Sequence, residues 1–166
     1  MEHASLLNED DVFRLASMGV TASVQPAFLT SETTWLAKRL GSERMEMAYP
    51  FRSMAEAGIP LAGGSDCPVE PPHPLLGMAA AQDRAGIVRD QGLNAAQALE
   101  LFTKGAARAM HESEPLEVGS PADVVVLDRD PLQEGAAALR RTLVKATYVG
   151  GRRVPFEEAT LDTWTT

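Results

Sequence analysis

Basic side chains are scarce in this 166-residue chain. Its 15 Lys and Arg face 23 Asp and Glu, which leaves a formal charge of −8. Without a run of Lys or Arg, that balance repels phosphate, so neither nucleic acid nor an anionic membrane surface is expected as a partner. Cysteine is nearly absent too. The lone Cys67 cannot close an internal disulfide, as suits a reducing cytoplasm. No apolar run approaches the roughly 18 residues that span a membrane. Met1-Glu2-His3-Ala4 puts no basic segment ahead of an apolar one, so a cytoplasmic chain is expected. Gly63-Gly64-Ser65 lacks the Gly-Lys-Ser/Thr of a phosphate loop and the glycine spacing of a dinucleotide fold. What remains is ordinary for a folded chain. With 45% hydrophobic and 23% charged residues, disorder and coiled coil fit poorly, and a chain of this size buries roughly 70% of its unfolded surface.

Local signals order the elements. Asn8 is placed to cap a helix that runs to Met18, with Glu9, Asp10 and Asp11 at its positive end and Gly19 as its stop. Val20 to Val24 is a β-branched run closed by Gln25-Pro26. A polar stretch from Thr30 to Thr34 leads to a helical turn over Trp35 to Leu40, and Pro50 to Gly58 reads as another helix. Ile59-Pro60-Leu61-Ala62 is apolar without alternation, as expected of a strand buried on both faces. Alternating helices and strands predict βα units and a parallel sheet. Cys67 to Pro74, with four prolines in eight residues, is a stiff loop; its Pro68-Val69-Glu70-Pro71 matches a PxxP ligand only formally. A helix is predicted over Leu75 to Val88, and a further one opens at Asn94 with Gln97 completing a capping box. Beyond about Met110 the chain turns β-prone, over Ala122 to Leu127 and Leu143 to Val149, and Gly150-Gly151 turns it into Arg152-Arg153-Val154. Gln133 to Arg141 has no clear assignment.

Few residues carry chemistry. Asp66 follows a buried strand and two glycines, the position where barrel and doubly wound enzymes set catalytic groups; its other reading is a loop cap. His3 would ordinarily be a surface histidine. Cys67 lacks the neighbouring base a nucleophile needs. His73 sits in the proline-rich loop, and His111 near a helix end suits the helix dipole.

Four segments in order change the weight of these residues. Glu2-His3-Ala4, Ala48-Tyr49-Pro50-Phe51-Arg52, Gly64-Ser65-Asp66 with Pro68-Val69-Glu70-Pro71-Pro72 and Pro74-Leu75-Leu76-Gly77, and Gly119-Ser120-Pro121-Ala122-Asp123-Val124-Val125-Val126-Leu127-Asp128 closely resemble the C-terminal third of the metal-dependent amidohydrolases, specifically the YtcJ-like family 3 group. The resemblance implies an α/β fold: the last βα units of a (β/α)8 TIM-type barrel, here incomplete, over residues 1–112, and C-terminal strands of a small β-sandwich over 113–166. It implies that His3 ends barrel strand six as a metal ligand. Asp66, after strand eight, would contact the metal or accept a proton from the attacking water. A divalent metal, zinc by preference, would lower the pKa of bound water and polarise a scissile carbonyl.

The same resemblance places the remaining metal ligands ahead of residue 1. A catalytic zinc normally has three protein ligands, and a complete barrel needs roughly 250 residues. The expectation is therefore a C-terminal fragment of a hydrolase of amide-like or cyclic C–N bonds, weak in metal binding and negligible in activity alone. Its parent would act on a small-molecule substrate. Alternatives are a non-catalytic module that forms homo-oligomers, or half of a split enzyme completed by an N-terminal chain. Arg52, Glu70 and His73 are the only candidates for substrate contact. The segment from Glu114 to Leu116 is expected to be shorter than in the family.

Overall fold

Asn8 does cap the first helix. In the computed structural model, which describes residues 1–113, 115–133 and 135–155, its side chain accepts from the Asp11 amide at 2.8 Å while the Asp11 carboxylate accepts from the Asn8 amide at 3.2 Å. This reciprocal pair satisfies two of the donors that an α-helix leaves free at its start. Helix α1 spans Glu9–Ser17 and buries Val12. Strand β1 (Ala22–Val24) follows, with Ala22 and Val24 fully buried.

The polar stretch after it, given no element from its sequence, is helical as far as Glu32. Helix α2 (Phe28–Glu32) buries Leu29, and tertiary burial of that one side chain outweighs the weak propensity of Thr30 and Ser31. Helix α3 (Leu36–Met45) is broken at Gly41, whose φ of 73° only glycine adopts without cost. Helix α4 (Phe51–Glu56) starts after Pro50 and buries Phe51 and Met54. Strand β2 (Leu61–Gly63) then pairs parallel with β1, Ala22 opposite Leu61 and Val24 opposite Gly63. Only Ala62 of β2 is fully enclosed, so the strand is less buried than its apolar run predicts. The Met1–His3 segment runs parallel along the other edge of β1: Ser23 donates to the Met1 carbonyl and accepts from the His3 amide, both at 2.8 Å.

Helix α5 (Pro74–Asp83) is sheathed on nearly every side, with Leu75, Gly77, Met78, Ala79, Ala80 and Ala81 buried. Small side chains allow that close approach. The helix ends five residues sooner than its composition predicts. Arg84 and Ala85 are left-handed (φ 56° and 49°), and two 3-10 turns, Arg84–Gly86 and Arg89–Gln91, carry the chain onward. The cause lies elsewhere in the molecule. The fully buried Arg84 guanidinium donates to the carbonyls of Tyr49 (2.6 Å), Ala48 (2.9 Å) and Ile87 (2.8 Å) and lies 5.4 Å from the Phe51 ring. Burial depresses its pKa to about 10.

Helix α6 (Ala95–Leu101) opens with the predicted Asn94–Gln97 capping box and is followed by a separate short helix α7 (Lys104–Ala109). Strands β3 (Val124–Leu127), β4 (Val144–Val149) and β5 (Arg152–Val154) form an antiparallel sheet in that order. Gly150 and Gly151, at φ 55° and 75°, make the two-residue hairpin between β4 and β5. The unassigned stretch contains helix α8 (Gly135–Leu139), whose Ala138 and Leu139 are buried as it packs on α5. Glu114 and residues 156–166, parts of the expected turn and sandwich portion, lie outside the described residues. Among the described residues no helix is long and apolar enough to cross a membrane.

Candidate functional site

Three parallel chain segments end at the same edge of the molecule: Met1–His3, β1 and β2, each hydrogen-bonded to the next. Each of them leads directly into polar residues. His3 follows the bridge between Glu2 and Ser23, Gln25 follows Val24, and Gly64-Ser65-Asp66 follows Gly63. Carboxyl ends of parallel strands are where α/β folds collect their chemistry, because the loops there are free to vary while the strands fix their roots. The two residues singled out from sequence, His3 and Asp66, thus project from one edge, two strands apart.

Both hold an unusual backbone. His3 has φ 66° and Asp66 has φ 53°, in the left-handed region that costs most L-residues energy and that clusters at functional sites. Both side chains are exposed. The His3 ring pairs through Nδ1 with Gln25 Oε1 at 2.9 Å, and stacks against Phe28 with centroids 6.1 Å apart and planes inclined by 25°. Among the described residues the Asp66 carboxylate has no hydrogen-bond partner; the loop is turned instead by backbone and serine groups, Val69 N to Asp66 O at 2.9 Å and Cys67 N to Ser65 Oγ at 3.2 Å. The loop-cap reading of its side chain therefore finds no support.

Beside Asp66 lies a recess of about 200 Å³, lined by Ala27, Gly63, Gly64, Ser65, His73 and Phe102 among others. Gly63 and Gly77 make room for the Phe102 ring, since a Cβ at either position would collide with it. His73 Nδ1 is buried without a hydrogen-bond partner, and burial pushes the His73 pKa down. His73 thus shares the recess with Ser65, the residue before Asp66. Cys67 is exposed and free. Arg52 points elsewhere, donating to the Gly92 carbonyl at 3.3 Å.

Whether these residues fit a metal can be judged from their donors. Imidazole and carboxylate are suitable ligands, and His3 has the second-atom partner that metal-bound histidines usually have. Among the described residues, however, no three His, Cys, Asp or Glu side chains converge. His3 and Asp66 fit as two donors of a site and do not complete one. Sequence reasoning missed Gln25. The available signal was its place, a polar residue directly after a buried strand, equivalent to that of Asp66 after β2.

Comparison with known proteins identifies the family. The sequence profile described as the amidohydrolase family matches residues 1–155. The chain is 32% identical over 163 residues to a putative amidohydrolase, YtcJ, of Bacillus subtilis, covering 92% of this chain and 31% of that protein. It is 30% identical over 161 residues to the N-substituted formamide deformylase of Arthrobacter pascens, covering 91% and 30%. The crystal structure of an uncharacterized metal-dependent hydrolase from Pyrococcus horikoshii superposes with a TM-score of 0.75 at 35% identity, over 82% of this chain and 30% of that one. The chain spans a little under a third of the length of these curated relatives.

Proposed function

Because the chain belongs to the amidohydrolase family, we propose that it forms the C-terminal third of a metal-dependent hydrolase of C–N bonds in small amide-like or cyclic molecules. The observation that carries this reading is the placement of His3 and Asp66, both left-handed, at the carboxyl ends of parallel segments joined through β1. On this reading residues 1–112 supply barrel strands six to eight with their helices, and residues 113–166 supply strands of a β-sandwich. The chain is cytoplasmic.

His3 and Asp66 would hold a divalent metal, zinc by preference, together with donors from outside the described residues. When bound, such a metal lowers the pKa of a water and polarises a carbonyl. Asp66, unpartnered and exposed, is the group that accepts the proton of the attacking water and returns it to the leaving nitrogen. The recess beside it, closed by His73 and Phe102, takes part of the substrate. A polypeptide that brings the missing donors is the expected partner. A second copy is the alternative, favoured by exposed apolar side chains such as Phe13, Val125 and Leu143.

The test is hydrolysis of N-substituted formamides and other small amides, with metal content measured in parallel, by this chain purified together with the polypeptide encoded directly upstream. Stoichiometric zinc and a rate at least about 10²-fold above that of His3→Ala and Asp66→Asn support the proposal. Equal rates in the wild type and both variants would overturn it.

A further inference from the structure

Glu2, His3 and Gln25 form a short chain of hydrogen bonds whose direction is decided at one end. The Gln25 amide nitrogen donates to Glu2 Oε2 at 3.4 Å, and a carboxylate can only accept. That orients the amide. Its oxygen must therefore face His3, and at 2.9 Å from Nδ1 it can only accept. The proton of the neutral imidazole is consequently on Nδ1. Gln25 is itself held in place, 4% exposed at the end of β1, with Pro26 after it fully buried. The ring has a second constraint in the Phe28 face against which it stacks.

We propose that Gln25 is a positioning residue that fixes the tautomer of His3, keeping the proton on Nδ1 and leaving the lone pair on Nε2. Which nitrogen of a histidine is available is set by the hydrogen bond that the other makes. A ligand histidine needs one bare nitrogen in a fixed direction, and an outer partner supplies both. The use of that lone pair for metal rests on the role proposed above for His3; the tautomer does not. Gln25 acts through His3 and touches no reacting atom.

With three histidines in the chain, long-range ¹H–¹⁵N correlation spectra resolve the tautomer of each at a pH where His3 is neutral. In the wild type, His3 should show a pyrrole-like Nδ1 and a pyridine-like Nε2. Gln25→Leu should shift both nitrogens toward the averaged positions of a free imidazole, while His73 and His111 stay unmoved. Gln25→Glu combined with Glu2→Gln, which keeps an acceptor facing His3 and a donor between positions 2 and 25, should restore the wild-type pattern. A wild-type His3 protonated on Nε2 overturns the proposal without need of any variant, as does an unchanged pattern in a folded Gln25→Leu. In the assembled hydrolase, Gln25→Leu should weaken zinc binding by about 10–100-fold. If the tautomer responds and zinc affinity does not, the fault lies with the metal role of His3 and not with Gln25.

Discussion

Arg140 donates two hydrogen bonds, of 2.6 and 3.0 Å, to the carboxylate of Asp83, 57 positions earlier. The pair joins the end of α5 to the residue just past α8, beside the buried Ala138 and Leu139. Burial raises the Asp83 carboxyl, but the bonds from Arg140 and from the Ala85 amide outweigh it, holding it below the usual carboxylate range. Both side chains are substantially exposed, 34% and 41%, so water screens the attraction. Arg140→Ala should therefore cost no more than about 1 kcal/mol near neutral pH. A depressed carboxylate stabilises above its unfolded pKa, and the contribution fades as pH falls through the folded one. Urea unfolding should show the wild type and variant converging as pH falls well below the ordinary carboxylate range; a gap that persists there would mean that packing, not charge, joins the two helices.

His73 titrates in the opposite region. Its lowered pKa means that the unfolded chain takes up a proton before the folded one does, so the folded state loses stability as pH falls below the unfolded value of about 6.5. His73→Asn should flatten the fall in stability between about pH 7 and pH 5, whatever it does at pH 7. The other two histidines are common to both proteins and cancel in the comparison. Parallel slopes would show that the buried Nδ1 is not what resists protonation.

Gly105 in α7 has no room for a methyl group, because a Cβ there would meet the Leu61 carbonyl of β2 and the Glu100 carbonyl. Alanine normally gains about 1 kcal/mol over glycine inside a helix. Here the clash is with backbone, which cannot rotate away, and Gly105→Ala should destabilise by about 1–3 kcal/mol or more. A thermal melt decides the sign. A higher Tm would show that α7 packs less closely on β2.

The left-handed backbones at His3 and Asp66 predict a separation of stability from function. Glycine adopts their φ values freely but costs more entropy on folding, so Asp66→Gly should change stability by less than about 1 kcal/mol, and His3→Gly, which also gives up the Gln25 bond and the Phe28 stack, by less than about 2 kcal/mol. In the assembled hydrolase each should abolish turnover. A loss well above its limit by denaturant titration would make either residue structural.

Much of the fold is legible wherever the cause is local. Asn8 with Asp11, Asn94 with Gln97, and Gly150-Gly151 act within four residues, and each does what its pattern predicts. The parallel pairing of β1 and β2 follows from the rhythm of elements. The end of α5 does not, because Arg84 is stopped by carbonyls at Ala48 and Tyr49, some 35 residues away. For the same reason α2 and α8 escaped: each exists because it buries Leu29 or Leu139, and burial is a property of the folded whole. At the site, Asp66 is readable from its glycines and strand. His3 gained its weight from resemblance alone, and Gln25 only from the fold.

The pairing of Val24 with Gly63 has a kinetic side. Two strands in parallel need a long crossover, here about 40 residues through α2, α3 and α4, and the entropy of closing it is lost before any ladder bond forms. The capped helices can form at once, whereas the edge that carries His3, Gln25 and Asp66 waits on this long-range closure. The candidate site should accordingly be among the last parts of the chain to acquire native order during refolding.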